Sequence, residues 1–183
     1  MAHGITKRVL ADSIKKLVEQ KPLAKISVGD IVEECGLNRN SFYYHFKDKY
    51  DLVNWIFYTD MINRIQIDNV LTGSTWELVD TITHYFYENK SFYMNALSVS
   101  GQNSFAEFFV DIIKQIVRAR IGESFADTDE EEQDFYIYFF IDAYVAATFR
   151  WLQGGAQIPP DKFSEMVKKA AHVIAMRILQ NLD

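Results

Sequence analysis

Apolar residues recur at helical spacing along nearly the whole chain. Val9, Leu10, Ile14, Leu17 and Val18 alternate with Lys7, Arg8, Asp12, Lys15 and Lys16, which predicts an amphipathic helix from about Thr6 to Glu19. Lys21-Pro22 ends it, because proline cannot continue the hydrogen-bond ladder. Ser27 stands three residues before Asp30, a capping-box pattern, and Ile31, Val32 and Cys35 form the apolar face of a short second helix that Gly36 stops. Asn38 is a cap for a third helix running to about Phe46. Asp48 caps a fourth, rich in Leu52, Val53, Trp55, Ile56 and Phe57, that reaches about Leu71.

The pattern continues beyond the break at Thr72-Gly73. Ser74 with Glu77 opens a helix to about Asn89, Ser91 to Leu97 is a short helix, and Ser98 to Asn103 a loop. Ser104 with Glu107 opens a helix to about Ile121, and Gly122 to Asp129 is a loop. A long helix from about Glu130 to Gln153 stops at Gly154-Gly155, and Pro159-Pro160 leads into a last helix ending near Leu182. Tyr136 to Phe140 alone reads as a buried strand, but it runs on into a helical pattern. The expected fold is all-α with about nine helices: a three-helix head over residues 1–50 and a helical body over residues 51–183.

Composition adds little to this picture until it is divided. Nearly half of the 183 residues are apolar, so the chain can bury a core. Its one cysteine, Cys35, permits no internal disulfide, and residues 1–4 carry no signal pattern, which together give a cytoplasmic expectation. The most apolar stretch, Phe135 to Leu152, contains Asp142 and Arg150 and reads as a buried helix rather than a membrane span. The net charge of −6 argues against a nucleic-acid protein. Residues 1–49, however, hold 9 Lys and Arg against 6 Asp and Glu, while the remainder hold 10 against 19. The positive end is where a phosphate backbone would need it.

Residues 27–49 read SVGDIVEECGLNRNSFYYHFKDK: helix, glycine turn, helix, after an amphipathic helix. A helix-turn-helix module is built this way, with its last helix entering the DNA major groove. On that helix Phe42 and Phe46 share one face, while Arg39, Tyr43 and Lys47 line another, with Asn40 and Tyr44 beside them. Arginine can fork onto guanine, asparagine can pair with adenine, and tyrosine can reach a phosphate or a thymine methyl. The competing reading is an ordinary solvated helix with exposed aromatics; two adjacent tyrosines on its polar face weigh against it.

The segment resembles the head of the TetR family of bacterial regulators. Ser27, Asp30, Ile31, Cys35, Gly36, Leu37, Phe42, Tyr43, Phe46, Lys49 and Leu52 match the family's pattern in register, with His45 where the family often has Tyr and Asn38 where it often has Ser. The resemblance implies a homodimer reading a near-palindromic operator on double-stranded DNA. It makes Ser27, Val28, Arg39, Asn40, Ser41, Tyr43, Tyr44, His45, Lys47 and Lys49 the candidate DNA contacts. The opening ITKRVLADSIKKL, the run FYYHFKDKYDLVNWIF and the WLQGG turn are similar to the group that includes the regulator of the dihydroxyacetone kinase operon in Gram-positive bacteria. That likeness implies an activator controlled by a kinase-like co-activator protein.

In the body, the resemblance implies that the last two helices pair with their copies, with Phe139, Tyr144, Phe149, Trp151, Ile174 and Ile178 as dimer-interface candidates. Trp76, His84, Tyr87, Phe105, Phe109 and Asp142 are candidates for an effector pocket, although core packing is the stronger explanation for most of the aromatics. Asp142 is open to three readings: a ligand anchor, a partner of Arg150 or Arg177, or a solvated side chain. No metal site, cofactor or catalytic motif is expected, since His84 and His172 lack partners at ligand spacing and no nucleophile elbow or phosphate-cradling glycine loop occurs. Three functions remain: a regulator controlled by a small molecule, a regulator controlled by a partner protein, and a protein-interaction module without DNA binding.

Overall fold

In the computed structural model, which describes residues 2–67, 75–99, 104–121 and 129–180, the described residues form nine α-helices and one 3-10 turn, with no strand. In order these are α1 (Ala2–Gln20), the 3-10 turn (Leu23–Lys25), α2 (Val28–Glu34), α3 (Arg39–Tyr43), α4 (Lys49–Ile67), α5 (Thr75–Glu88), α6 (Lys90–Leu97), α7 (Phe105–Ile121), α8 (Glu130–Gln153) and α9 (Pro160–Gln180). The all-α expectation holds. No described helix is long and apolar enough to cross a membrane. The expected break at Thr72-Gly73, the Ser74 cap, and most of the loops at 98–103 and 122–129 lie outside the described residues.

The helix ends fall where the local chemistry puts them. The Ser27 hydroxyl accepts from the Asp30 N–H, and the Asp30 carboxylate accepts from the Ser27 N–H at 2.7 Å, so two otherwise orphaned donors are satisfied reciprocally. Gly36 adopts φ +68°, a left-handed turn that glycine enters without steric cost. The Asn38 side chain caps α3 through the Ser41 N–H at 2.9 Å, and Asp48 caps α4 through Tyr50 and Asp51. At the far end of the chain Asp129 caps α8 through Glu132, placing the acidic run against the positive end of the helix dipole. Gly155 (φ 81°) and buried Ala156 (φ 50°) turn the chain after α8.

Two boundaries differ from expectation. The first helix begins at Ala2 rather than near Thr6, and Val9, read as apolar-face, is 36% exposed. The third ends at Tyr43 rather than Phe46, because the chain tightens: the N–H groups of both His45 and Phe46 donate to the Phe42 carbonyl, at 2.9 and 3.0 Å. The Asp51 carboxylate then takes the Lys47 N–H at 2.9 Å and turns the backbone into α4.

The chain forms two units. The first comprises residues 1–63 and 89–108, so it contains the whole predicted head and adds most of α4, α6 and the start of α7. Its core joins Leu10, Ile14 and Leu17 of α1 with Leu23, Ile26, Ile31, Phe42, Leu52 and Ile56. Farther along α4, Phe57 packs edge-on against Tyr93 and Phe105. The second unit comprises residues 64–88 and 109–183. There α5 packs against α8 and α9, burying Leu78, Ile82 and Phe86 together with Ile137, Ile141, Val145 and Leu152. Asp80 on α5 bonds Lys168 and Ser164 on α9. Partial burial of Asp80 opposes its ionisation, but these two partners outweigh it and hold the carboxyl below its usual range.

Candidate nucleic-acid interface

The polar face of α3 follows from what its apolar face must do. Phe42 is fully buried and Phe46 nearly so, their rings 5.8 Å apart. Phe46 packs edge-on against Trp55 of α4, and the Lys7 ammonium lies over both rings, at 5.5 and 5.6 Å. With α3 pinned by these rings, the residues between them turn outward. Tyr43 is 57% and Tyr44 69% exposed, and Arg39, Asn40 and Lys47 are exposed as well. Tyr44 stacks edge-on against half-buried His45, and Phe42 supports Tyr43 the same way. A phenol has few torsions to lose on contact with a partner, so each ring can be ordered there at little entropic cost.

The remaining candidates have structural work of their own. Ser27 and Asn38–Ser41 form the two caps, and Val28 is half-buried on the first turn of α2. Asp30, at the centre of the first cap, is held at a pKa of about 2 by the Ser27 N–H, the Ser27 hydroxyl and Lys21. Lys49, one of the DNA contacts the resemblance implied, has its ammonium occupied within the head. Its ammonium donates to the carbonyls of Leu23, Ala24 and Ile26 at 2.7, 3.1 and 2.7 Å, tying α4 to the chain that enters α2. Burial pushes its pKa down, while the charges of Asp30 and Asp48 and three facing carbonyl dipoles oppose that. All three donors of Lys49 are thus occupied within the first unit.

The body candidates separate. Phe105 is buried in the first unit against Phe57 and Tyr93. In the second unit Phe109 is enclosed by Phe86 and Phe149, Trp76 is 41% exposed, and Tyr87 stacks on Trp151. The His84 imidazole spans the Asp80 carbonyl and the Asp161 carboxylate. Asp142 is exposed on α8, which fits its solvated reading. Sequence reasoning missed a polar group here. The Tyr144 hydroxyl is buried beside the hydroxyls of Thr83 on α5 and Thr148 on α8. Burial pushes the phenol pKa up. Only the i, i+4 spacing of Tyr144 and Thr148 in an otherwise apolar face signalled it.

Of the six dimer candidates, Phe139 is exposed, Tyr144 and Phe149 are half-buried, and Trp151 is buried. Trp151 is a correction: it stacks on Phe163 at 4.5 Å and donates its indole N–H to the Ile158 carbonyl at 2.8 Å, so it closes the α8–α9 turn within its own chain. The side chains of Ile174 and Ile178 lie outside the described residues. The outward apolar stripe of α8 is instead Phe135, Phe139, Ala143 and Ala146, with Tyr136 and Phe140 flanking it; on α9 it is Met166, Ala170 and Val173.

Known proteins fit this layout. Residues 10–56 match the family model of bacterial regulatory proteins of the tetR family, and residues 74–172 match a transcriptional regulator C-terminal region of the same family. The DhaS transcriptional activator of the dhaKLM operon in Lactococcus lactis is 29% identical over 106 residues, 58% of this chain. That match spans about half of the relative's length, 55%. A solved dihydroxyacetone kinase operon activator, DhaS, superposes with a TM-score of 0.67 at 22% identity over 95% of this chain and 96% of its own. A TetR transcriptional regulator from Streptococcus agalactiae superposes with a TM-score of 0.65 at 18% identity over 91% and 93%. With a head model covering the helix-turn-helix and a C-terminal model covering more than half of the chain, this protein belongs to the TetR family of bacterial transcriptional regulators.

Proposed function

We propose that the chain binds a near-palindromic DNA operator as a homodimer, with α3 in the major groove, and that an effector acting on the second unit sets its occupancy. The division of α3 and the turn after it carries this reading: Phe42 and Phe46 are buried, while Arg39, Asn40, Tyr43, Tyr44 and Lys47 are exposed. The excess of Lys and Arg in residues 1–49 supports it, because phosphate neutralisation supplies most non-specific affinity. On this reading Tyr43 and Lys47 touch the DNA backbone, Arg39 and Asn40 approach base edges, and Lys49 braces the head instead of touching DNA. The protein is a cytoplasmic switch with no catalytic step.

The outward stripes of α8 and α9 are the proposed dimer seam. Bare phenylalanine, alanine and methionine surfaces gain by mutual burial, and small residues let helices approach closely. A second reading draws on the likeness to DhaS, an activator of a dihydroxyacetone kinase operon. In it the chain activates such an operon and its effector is a kinase-like co-activator protein.

Selection of genomic fragments by the purified protein, with titration of the best fragment at two salt concentrations, tests the proposal. A near-palindromic site bound by a dimer with steep salt dependence is expected. Repeating the titration with metabolites, then with candidate partner proteins, separates the two readings. No enrichment at low salt, with or without partners, would leave only a protein-interaction module.

A further inference from the structure

Two glycines of the head differ in why they are glycine. Gly36 needs its positive φ, and a Cβ there would meet open space. Gly29, in the first turn of α2, has ordinary helical backbone, where alanine is the better helix former. What it lacks is room. A Cβ on residue 29 would stand 3.0 Å from Nη2 of Arg39 and 3.3 Å from Oγ of Ser27. The guanidinium of the first residue of α3 thus lies on the shelf that the missing side chain leaves on α2.

Arg39 is exposed and makes no ion pair among the described residues. The acid nearest in sequence to the shelf is already committed, because Asp30 bonds the Ser27 N–H at 2.7 Å, the Ser27 hydroxyl at 2.9 Å and the Lys21 ammonium at 3.1 Å. The cation therefore lies on the shelf without being neutralised, which leaves its charge available to a nucleic acid. We infer that Gly29 is a positioning residue: by leaving its side chain out, it seats the Arg39 guanidinium and so sets which base the head prefers at one place in each half-site. The inference rests on the DNA-binding reading above.

The test is a double-mutant cycle with Gly29→Ala, Arg39→Ala and the pair, read on the DNA fragment that the wild-type dimer selects and on thermal melting. Gly29→Ala is expected to leave the melting temperature unchanged or raised, since the atom displaced is the end of a flexible side chain. It should weaken binding by about tenfold, the weight of one misplaced bidentate contact. It should also relax base preference at the same half-site position that Arg39→Ala relaxes, and the double variant should bind no more weakly than Arg39→Ala. Unchanged affinity and preference in Gly29→Ala overturns the inference alone. So does a loss of equal size in the Arg39→Ala background, which would place the effect in the Ser27 cap or in a clash between the new methyl group and DNA. If the wild-type dimer selects no fragment, the DNA-binding reading falls and this inference with it.

Discussion

Two helices of this protein show their aromatic rings to solvent, and they do so differently. On α3 and the turn that follows it the exposed rings are Tyr43 and Tyr44, set among Arg39, Asn40 and Lys47. On α8 they include Phe135 and Phe139, 65% and 53% exposed, in line with Ala143 and Ala146. A phenol among cations keeps a hydrogen-bonding edge and suits a wet, charged partner such as a phosphate backbone. A phenylalanine stripe graded into alanine, with Asp142 as its one exposed charge, is mostly apolar and suits a protein surface. Exposure alone did not separate the two faces; the polar atoms beside each ring did.

The sharpest way to break the comparison is to remove what holds one side of it. Phe42→Ala should cost about 3–5 kcal/mol, because a fully buried ring is lost between α1, α2 and α3, and Tyr43 loses its edge contact. Chemical denaturation should show this loss, with DNA binding falling alongside it.

Phe139→Asp works on the other helix. It should weaken dimerisation by about 30-fold or more, the weight of a hot spot of about 2 kcal/mol, while the helicity of each protomer stays intact. Sedimentation across a concentration series would read it. A dimer as tight as wild type would remove the α8 stripe from the seam.

Lys47→Ala should reduce the dependence of log affinity on log salt by about one per site without altering the melting temperature. Lys49→Ala, by contrast, should lower stability and leave that slope unchanged, since its ammonium is spent on three backbone carbonyls. If the two lysines exchange these signatures, the assignment of bracing and contacting roles is reversed.

The smallest effect concerns the first cap. Ser27→Ala should cost about 1 kcal/mol. The Asp30 carboxyl is depressed from 3.8 to about 2, so the stability it contributes is fully present above pH 3.8 and is lost as the pH falls through about 2. Melting curves across that range should drop more gently in Asp30→Asn than in wild type.

Much of the head was legible in the residues, for a physical reason. Caps and turns are local bargains between a side chain and the backbone two or three positions away, so Ser27, Gly36, Asn38 and Asp48 announced their roles without reference to distant chain. Phe42 and Phe46 fixed the inward face of α3 by spacing alone. The body was less legible because its helices are rich in aromatics on several faces. Periodicity then no longer says which ring is inside: of two residues read alike, Trp151 is buried against Phe163 in its own chain and Phe139 is exposed.

What the sequence by itself determined is therefore the number and order of the helices, most of their ends, and the split of charge between head and body. What only the tertiary structure decided is the employment of particular side chains. Lys49 turns inward to three carbonyls, Gly29 makes room for Arg39, and Thr83 meets Tyr144 and Thr148. These depend on residues brought together from separate helices. Hydrophobic spacing is a property of one helix, whereas a hydrogen bond or a shelf needs two.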